Sequence, residues 1–137
     1  MPARSKARKR ALDLLFEAEL RGEPVITLME ERSSENFGPP VPEYAAELVR
    51  GVQAHRERID QLLEEHAEGW TLNRMPIVDR NVLRIGLYEM LWADDVPDAV
   101  AISEAVLLAR ALSTDASPAF INGLLAHLLE LKPTLIA

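Results

Sequence analysis

The chain has no cysteine. That excludes disulfides, thiolate nucleophiles, Cys-ligated zinc and iron–sulfur clusters together, and it fits a reducing compartment. Aromatic residues make up only 5% of the chain, and runs alternating Val, Ile or Thr with polar residues do not occur, so strand signals are missing. No apolar run approaches the roughly 18–20 residues of a membrane span. Asp13, Glu17 and Glu19 interrupt the apolar positions after the basic start, so no signal-peptide core follows it. The chain therefore reads as cytoplasmic. No Gly-rich phosphate loop and no Gly-x-Ser-x-Gly elbow are present. His55, His66 and His127 form no metal-ligand spacing and read as surface or packing histidines. Acidic pairs such as Glu30-Glu31, Glu64-Glu65 and Asp94-Asp95 read as solvated helix faces. These absences argue against an enzyme, and no cofactor is implied.

What is present is helical periodicity throughout 137 residues, one domain's length. A first helix spans about Ser5 to Arg21, with Leu12, Leu15, Phe16 and Leu20 on one stripe and Gly22 as its stop. Pro24 opens a short helix with Val25, Leu28 and Met29 inward. The segment 33–40 is the obvious loop. Pro42 opens a third helix carrying Tyr44, Ala45, Leu48, Val49 and Val52. Its stripe lapses at Ala54–Arg58 and resumes at Ile59, which predicts two helices or one kinked helix ending near Gly69. A helix from about Pro76 to Trp92 is apolar on two sides, as expected for an element buried by neighbours on both. A sixth helix carries Ile102, Ala105, Val106, Ala109 and Leu112. Ser117-Pro118 opens the last one. Asn122-Gly123 is a hairpin signal only between strands; here the helical spacing runs through it. A glycine inside a helix costs about 1 kcal/mol relative to alanine, so close packing against another helix, or a close partner, is expected at Gly123.

Charge is unevenly placed. Five of the 15 cations, Arg4, Lys6, Arg8, Lys9 and Arg10, lie in residues 1–10 with no acid, while the remaining 127 residues hold ten cations and 22 acids, a net −12. Cations at a helix start oppose its dipole. On a helical wheel they surround the axis, and Arg8 falls on the stripe continued by Leu12 and Leu15. The first turns are therefore expected to project beyond the core or to order only on binding. A basic arm of this kind suits a polyanion, although a solvated tail has the same composition. Phe120, just after Ser117-Pro118, stands where helix-start N–H groups can hold a phosphate and an aromatic ring can stack, although core packing is the commoner role for a lone Phe. Glu89 lies between Val82 and Ile85 on an apolar side and needs a partner. Arg80 and Arg84, one turn apart, suit either salt bridges or a binding surface.

Several separated motifs resemble the bacterial transcription antitermination factor NusB family over nearly the full length. They are Val78-Asp79-Arg80-Asn81-Val82-Leu83-Arg84-Ile85 with Tyr88-Glu89, then Asp95-Val96-Pro97, Ala101-Ile102-Ser103-Glu104-Ala105, and Ser117-Pro118-Ala119-Phe120-Ile121-Asn122-Gly123-Leu124-Leu125. The basic head leading into Ala11-Leu12-Asp13-Leu14-Leu15-Phe16 also fits. The resemblance implies a single all-α domain over 1–137, with about seven helices in two three-helix subbundles and a basic arm at 1–10. It implies binding of single-stranded boxA RNA in nascent rRNA together with NusE, a small-subunit ribosomal protein, and entry into an RNA polymerase complex with NusA and NusG. It assigns RNA contact to Arg4, Lys6, Arg8, Lys9, Arg10, Ser117 and Phe120, and NusE contact to Phe16 and Asp79. Some members carry tyrosine at Phe16, and some carry Asp at Ala116, where an added acid is expected to weaken RNA binding. Two alternatives stand beside this reading. One is a homodimer or stand-alone RNA-binding module with the arm buried between subunits. The other is an accessory domain like the N-terminal domain of rRNA cytosine methyltransferases, which needs a catalytic cysteine and a cofactor fold that this sequence lacks.

Overall fold

A computed structural model describes residues 2–34 and 38–135. The described residues form seven α-helices and no strand: α1 (Ala3–Arg21), α2 (Val25–Arg32), α3 (Glu43–Ala54), α4 (Arg56–His66), α5 (Ile77–Trp92), α6 (Asp98–Leu112) and α7 (Ser117–Leu135). A single 3₁₀ turn, Leu72–Arg74, joins α4 to α5.

Prolines punctuate the chain. Pro2, Pro24, Pro42, Pro76 and Pro97 each stand immediately before a helix in extended backbone, where the fixed φ and missing N–H cost nothing. Gly22 ends α1 in the left-handed region at φ 67°, and Glu23 N–H returns to the Ala18 carbonyl at 2.9 Å. This closes the helix C-terminus in a way a side chain at position 22 would strain. The lapse in periodicity after Ala54 is a true break: His55 sits at φ −109°, ψ 14° between α3 and α4. Residues 35–37 of the expected loop lie outside the described residues.

α1, α2 and α3 pack together as one bundle, and α5, α6 and α7 as another. α5 also touches α1, α3 and α4, so it is the axis shared by both halves. Its run from Asn81 to Leu87 is buried without a gap. Gly86 shows why the axis is tight: a Cβ there would lie 2.9 Å from Leu125 Cδ1 and 3.3 Å from Ala105 Cβ. α6 presents the small row Ala101, Ala105 and Ala109 to this junction, which lets three helices approach closely.

Two expected stripes are rotated. On α1 the buried face is Ala7, Ala11, Leu14, Leu15 and Ala18 with Leu12, and Leu20 is 63% exposed. On α6 the small residues turn inward and Leu112 is exposed. On α6 close backbone approach selects the alanine face over the bulkier one, whereas on α1 three leucines share the buried face with three alanines. Gly123 departs further: a Cβ there would meet no atom within 4 Å among the described residues. Packing against another helix is therefore not what that glycine serves.

Candidate nucleic-acid interface

The basic head does not project from the core. α1 is helical from Ala3, and Ala7 and Arg8 are buried. The Arg8 guanidinium reaches Glu89 of α5 at 2.9 and 3.1 Å and Glu104 of α6 at 3.2 Å. The Tyr44 hydroxyl donates to the same Glu89 carboxylate. Ser5 donates to Glu104 at 2.6 Å. Burial would lower the Arg8 pKa, but the Glu89 hydrogen bond and charge outweigh it and hold it raised. Burial, and then the Glu89 carboxylate, push the Tyr44 phenol above its usual range, keeping it a donor. Arg8 is thus a structural clamp tying α1 to α5 and α6. The expectation of a free arm fails at this residue because two carboxylates and a phenol await it inside.

The other head cations stay accessible. Arg4 lies over the Tyr44 ring, 4.2 Å from its centroid, and pairs with Asp95 at 2.6 Å, both groups well exposed. Such a pair is weak and readily exchanged. Lys9 pairs with Asp13 one turn on. Lys6 is exposed and Arg10 half-buried, and neither makes an ion pair among the described residues.

A second cluster forms at the opposite end of α5. Asp79, 1% exposed, accepts hydrogen bonds from Ser113 and from Ser117 at 2.8 Å. Ser117 also lies 2.7 Å from the Thr114 hydroxyl and accepts the Thr114 N–H at 3.3 Å. Both expected contact residues, Asp79 and Ser117, are therefore buried in a knot that fixes the start of α7. Asp79 and Glu89 are ten residues apart on α5, about 15 Å along its axis. The head and the α7 start are thus separate patches.

Arg80 and Arg84 resolve as structural. Arg84 holds Asp60 at 2.8 and 3.1 Å and Glu19 at 2.8 Å. Arg80 pairs with Glu19 and donates to the Met75 carbonyl at 2.9 Å. Burial acts to raise the Glu19 pKa, but hydrogen bonds from Arg80, Arg84 and Asn81 overcome it and hold it low. No buried side-chain polar atom lacks a partner among the described residues.

Phe120 stands on α7, half-buried, with its ring centroid 5.4 Å from that of Trp70 at 46°. Trp70 is 44% exposed. Beside Phe120 opens a cavity of about 390 Å³, bordered by His66, Glu68, Phe120, Gly123 and His127. The His66 and His127 ring centroids are 5.4 Å apart. Trp70 lies between Gly69 and Thr71, outside any helical stripe. Phe16 is half-buried on α1.

The NusB family model matches residues 5–130. The chain belongs to the NusB family. A transcription antitermination protein NusB of Thermobifida fusca is 58% identical over 133 residues, covering 97% of this chain and 93% of that protein. One from Saccharopolyspora erythraea is 64% identical over 129 residues, covering 93% and 87%. Among solved structures, T. maritima NusB superposes with a TM-score of 0.83 at 35% identity, covering 95% of this chain and 92% of that one. A complex of antitermination factors NusB and NusE with dsRNA contains a chain of 29% identity and TM-score 0.79, covering 93% and 96%. The two helical bundles sharing α5 are thus the NusB fold. Among the described residues no helix is long and apolar enough to cross a membrane, and no cluster of three or more His or carboxylate groups is placed to hold a metal.

Proposed function

We propose that the chain is a non-enzymatic, cytoplasmic transcription antitermination factor. It binds boxA-type single-stranded RNA in nascent rRNA together with NusE, and the pair joins RNA polymerase with NusA and NusG. The observation that carries this is the survival of accessible head cations, Arg4, Lys6, Lys9 and Arg10, on a NusB-family chain whose remainder is net −12. A concentrated positive patch on an acidic body binds a polyanion locally and repels it elsewhere. In this reading the head cations contact phosphates, and Phe120 at the far end of α5 stacks on a base. Arg8 and Ser117 act as positioning residues, since both are buried. Asp79 acts on the NusE surface through the connection it pins, and Phe16 contributes a half-buried face.

Fluorescence anisotropy with boxA and scrambled RNA, with and without NusE, tests this across a salt series. Three to five phosphate contacts predict a log–log salt slope of about −2 to −3.5. Removing Lys6 and Arg10 together flattens it by about 1.4, at 0.7 per contact. Preference for boxA that sharpens with NusE is the expected result. Equal binding to both RNAs, indifferent to NusE, leaves a nonspecific basic patch and refutes the proposal.

A further inference from the structure

We infer that the groove between α3 and the end of α5 is a guanidinium-binding site, which takes an arginine presented by a basic protein partner. The chain itself displays the chemistry at one end of it. The Arg4 guanidinium lies 4.2 Å from the centroid of the Tyr44 ring and 2.6 Å from the Asp95 carboxylate, and Tyr44 and Asp95 both line the groove. With Arg4 in place about 630 Å³ remains, bordered also by Glu47, Tyr88, Trp92 and Asp94. The Arg4 pair is exposed on both sides and therefore weak, so this resident arginine yields its end of the groove readily.

The walls are aromatic in a chain poor in aromatics. Both tyrosines and one of the two tryptophans meet here. Two of the rings are fixed from behind. A Cβ at Gly51 would lie 2.2 Å from the Tyr88 ring, so glycine at this point of α3 lets that ring settle against the backbone. The Trp92 ring stacks on His55, with centroids 4.0 Å apart at 12°, and its centroid lies 6.3 Å from that of Tyr88 at 24°. Tyr44, Tyr88 and Trp92 are all half-buried, which leaves part of each ring open to a guest. The rim is acidic. Glu47, Asp94 and Asp95 are exposed and stand against the single lining cation Arg50. Neither Glu47 nor Asp94 makes an ion pair among the described residues. Their field reaches the rings: burial raises the Tyr88 pKa, and the Glu47, Glu89 and Asp95 charges raise it further. Ring faces and carboxylates together attract a cation. A planar guanidinium stacks and hydrogen-bonds at once, as a lysine ammonium cannot. A phosphodiester would meet three carboxylates, and an apolar helix laid in the groove would press carbon against them.

A blocked peptide carrying two arginines between glycines is titrated into the full chain and followed by amide and indole NMR shifts. The controls are the same peptide with lysine and with uncharged citrulline in place of arginine. Trp70→Phe identifies which indole resonance belongs to Trp92. The arginine peptide shifts the Trp92 indole and the Gly51 amide, binds about three-fold or more tighter than the lysine peptide, and loses its effect with citrulline. Glu47→Gln/Asp94→Asn melts like wild type, because both side chains are exposed, and weakens the arginine peptide by about three- to ten-fold, as two surface charge pairs allow. Arg4→Ala frees Tyr44 and Asp95 and tightens it. Lysine and citrulline peptides that bind as well as the arginine peptide, or an unchanged affinity in Glu47→Gln/Asp94→Asn, refute the inference. Shifts that follow protein concentration in place of peptide make the occupant a second copy of this chain. A boxA oligonucleotide that moves the Trp92 indole where the arginine peptide does not makes the groove an RNA surface. Either of these results overturns the inference.

Discussion

Arg8→Ala offers the sharpest test of how this fold treats its basic head. The Arg8 side chain is 4% exposed and its Glu89 partner 1%. Removing the guanidinium strands the Glu89 carboxylate inside, with only the Tyr44 hydroxyl still donating to it. Breaking a buried pair from one side typically costs about 3–5 kcal/mol. That is a large part of the roughly 5–15 kcal/mol holding a domain together. At a few degrees per kcal/mol for this chain length, the melting temperature falls by about 10–20 °C. Arg8→Met keeps much of the apolar stem and suffers nearly the same loss, because the stranded charge dominates. Arg8→Met/Glu89→Gln recovers part of it, since a neutral amide can still accept from Tyr44. Thermal melts by circular dichroism with denaturant titrations read all three variants. RNA affinity, measured well below the melting point, changes less for Arg8→Ala than for Lys6→Ala. An Arg8→Ala protein that melts like wild type, or a double variant no more stable than Arg8→Met, refutes the clamp.

Three further outcomes follow from the acidic groups that the fold pairs. Asp79→Ala leaves the Ser113 and Ser117 hydroxyls without their carboxylate; at about 1.5–3 kcal/mol for a hydrogen bond to a charged group, it destabilises the chain and raises amide exchange over residues 113–118, and unchanged exchange there contradicts the assignment. Asp79→Lys places a cation where the side chain is 1% exposed, so lost folding, not a selective loss of NusE binding, is its expected phenotype. Glu19 is held below its ordinary value of 4.5 by Arg80, Arg84 and Asn81 against the opposing effect of burial. Its stabilisation is complete above that value and is lost as pH falls through the lowered one. The melting temperature therefore drops across this acid range, and Glu19→Gln flattens the drop. A variant with the wild-type acid profile speaks against the network.

Much of the architecture was legible in the residues alone. Proline and glycine restrict φ locally, so Pro24, Pro42, Pro76, Pro97 and Gly22 mark helix boundaries wherever the rest of the chain goes. The lapse after Ala54 likewise announced the break at His55. Periodicity also showed that α5 faces neighbours on both sides, and composition showed a cationic head on an acidic body. The anomaly at Gly123 was visible as a helix former's absence. What tertiary structure decided is which polar groups meet. Arg8 and Glu89 are 81 residues apart and Asp79 and Ser117 are 38 apart. A wheel reports that Arg8 and Glu89 each lie on a buried side, and no local rule says they face one another. The inward turn of the α6 alanines has the same origin, because an alanine face is chosen by how closely a neighbouring backbone can approach. Local sequence sets the conformations a segment can hold, but burial of a charge is settled only by the partner that packing brings to it.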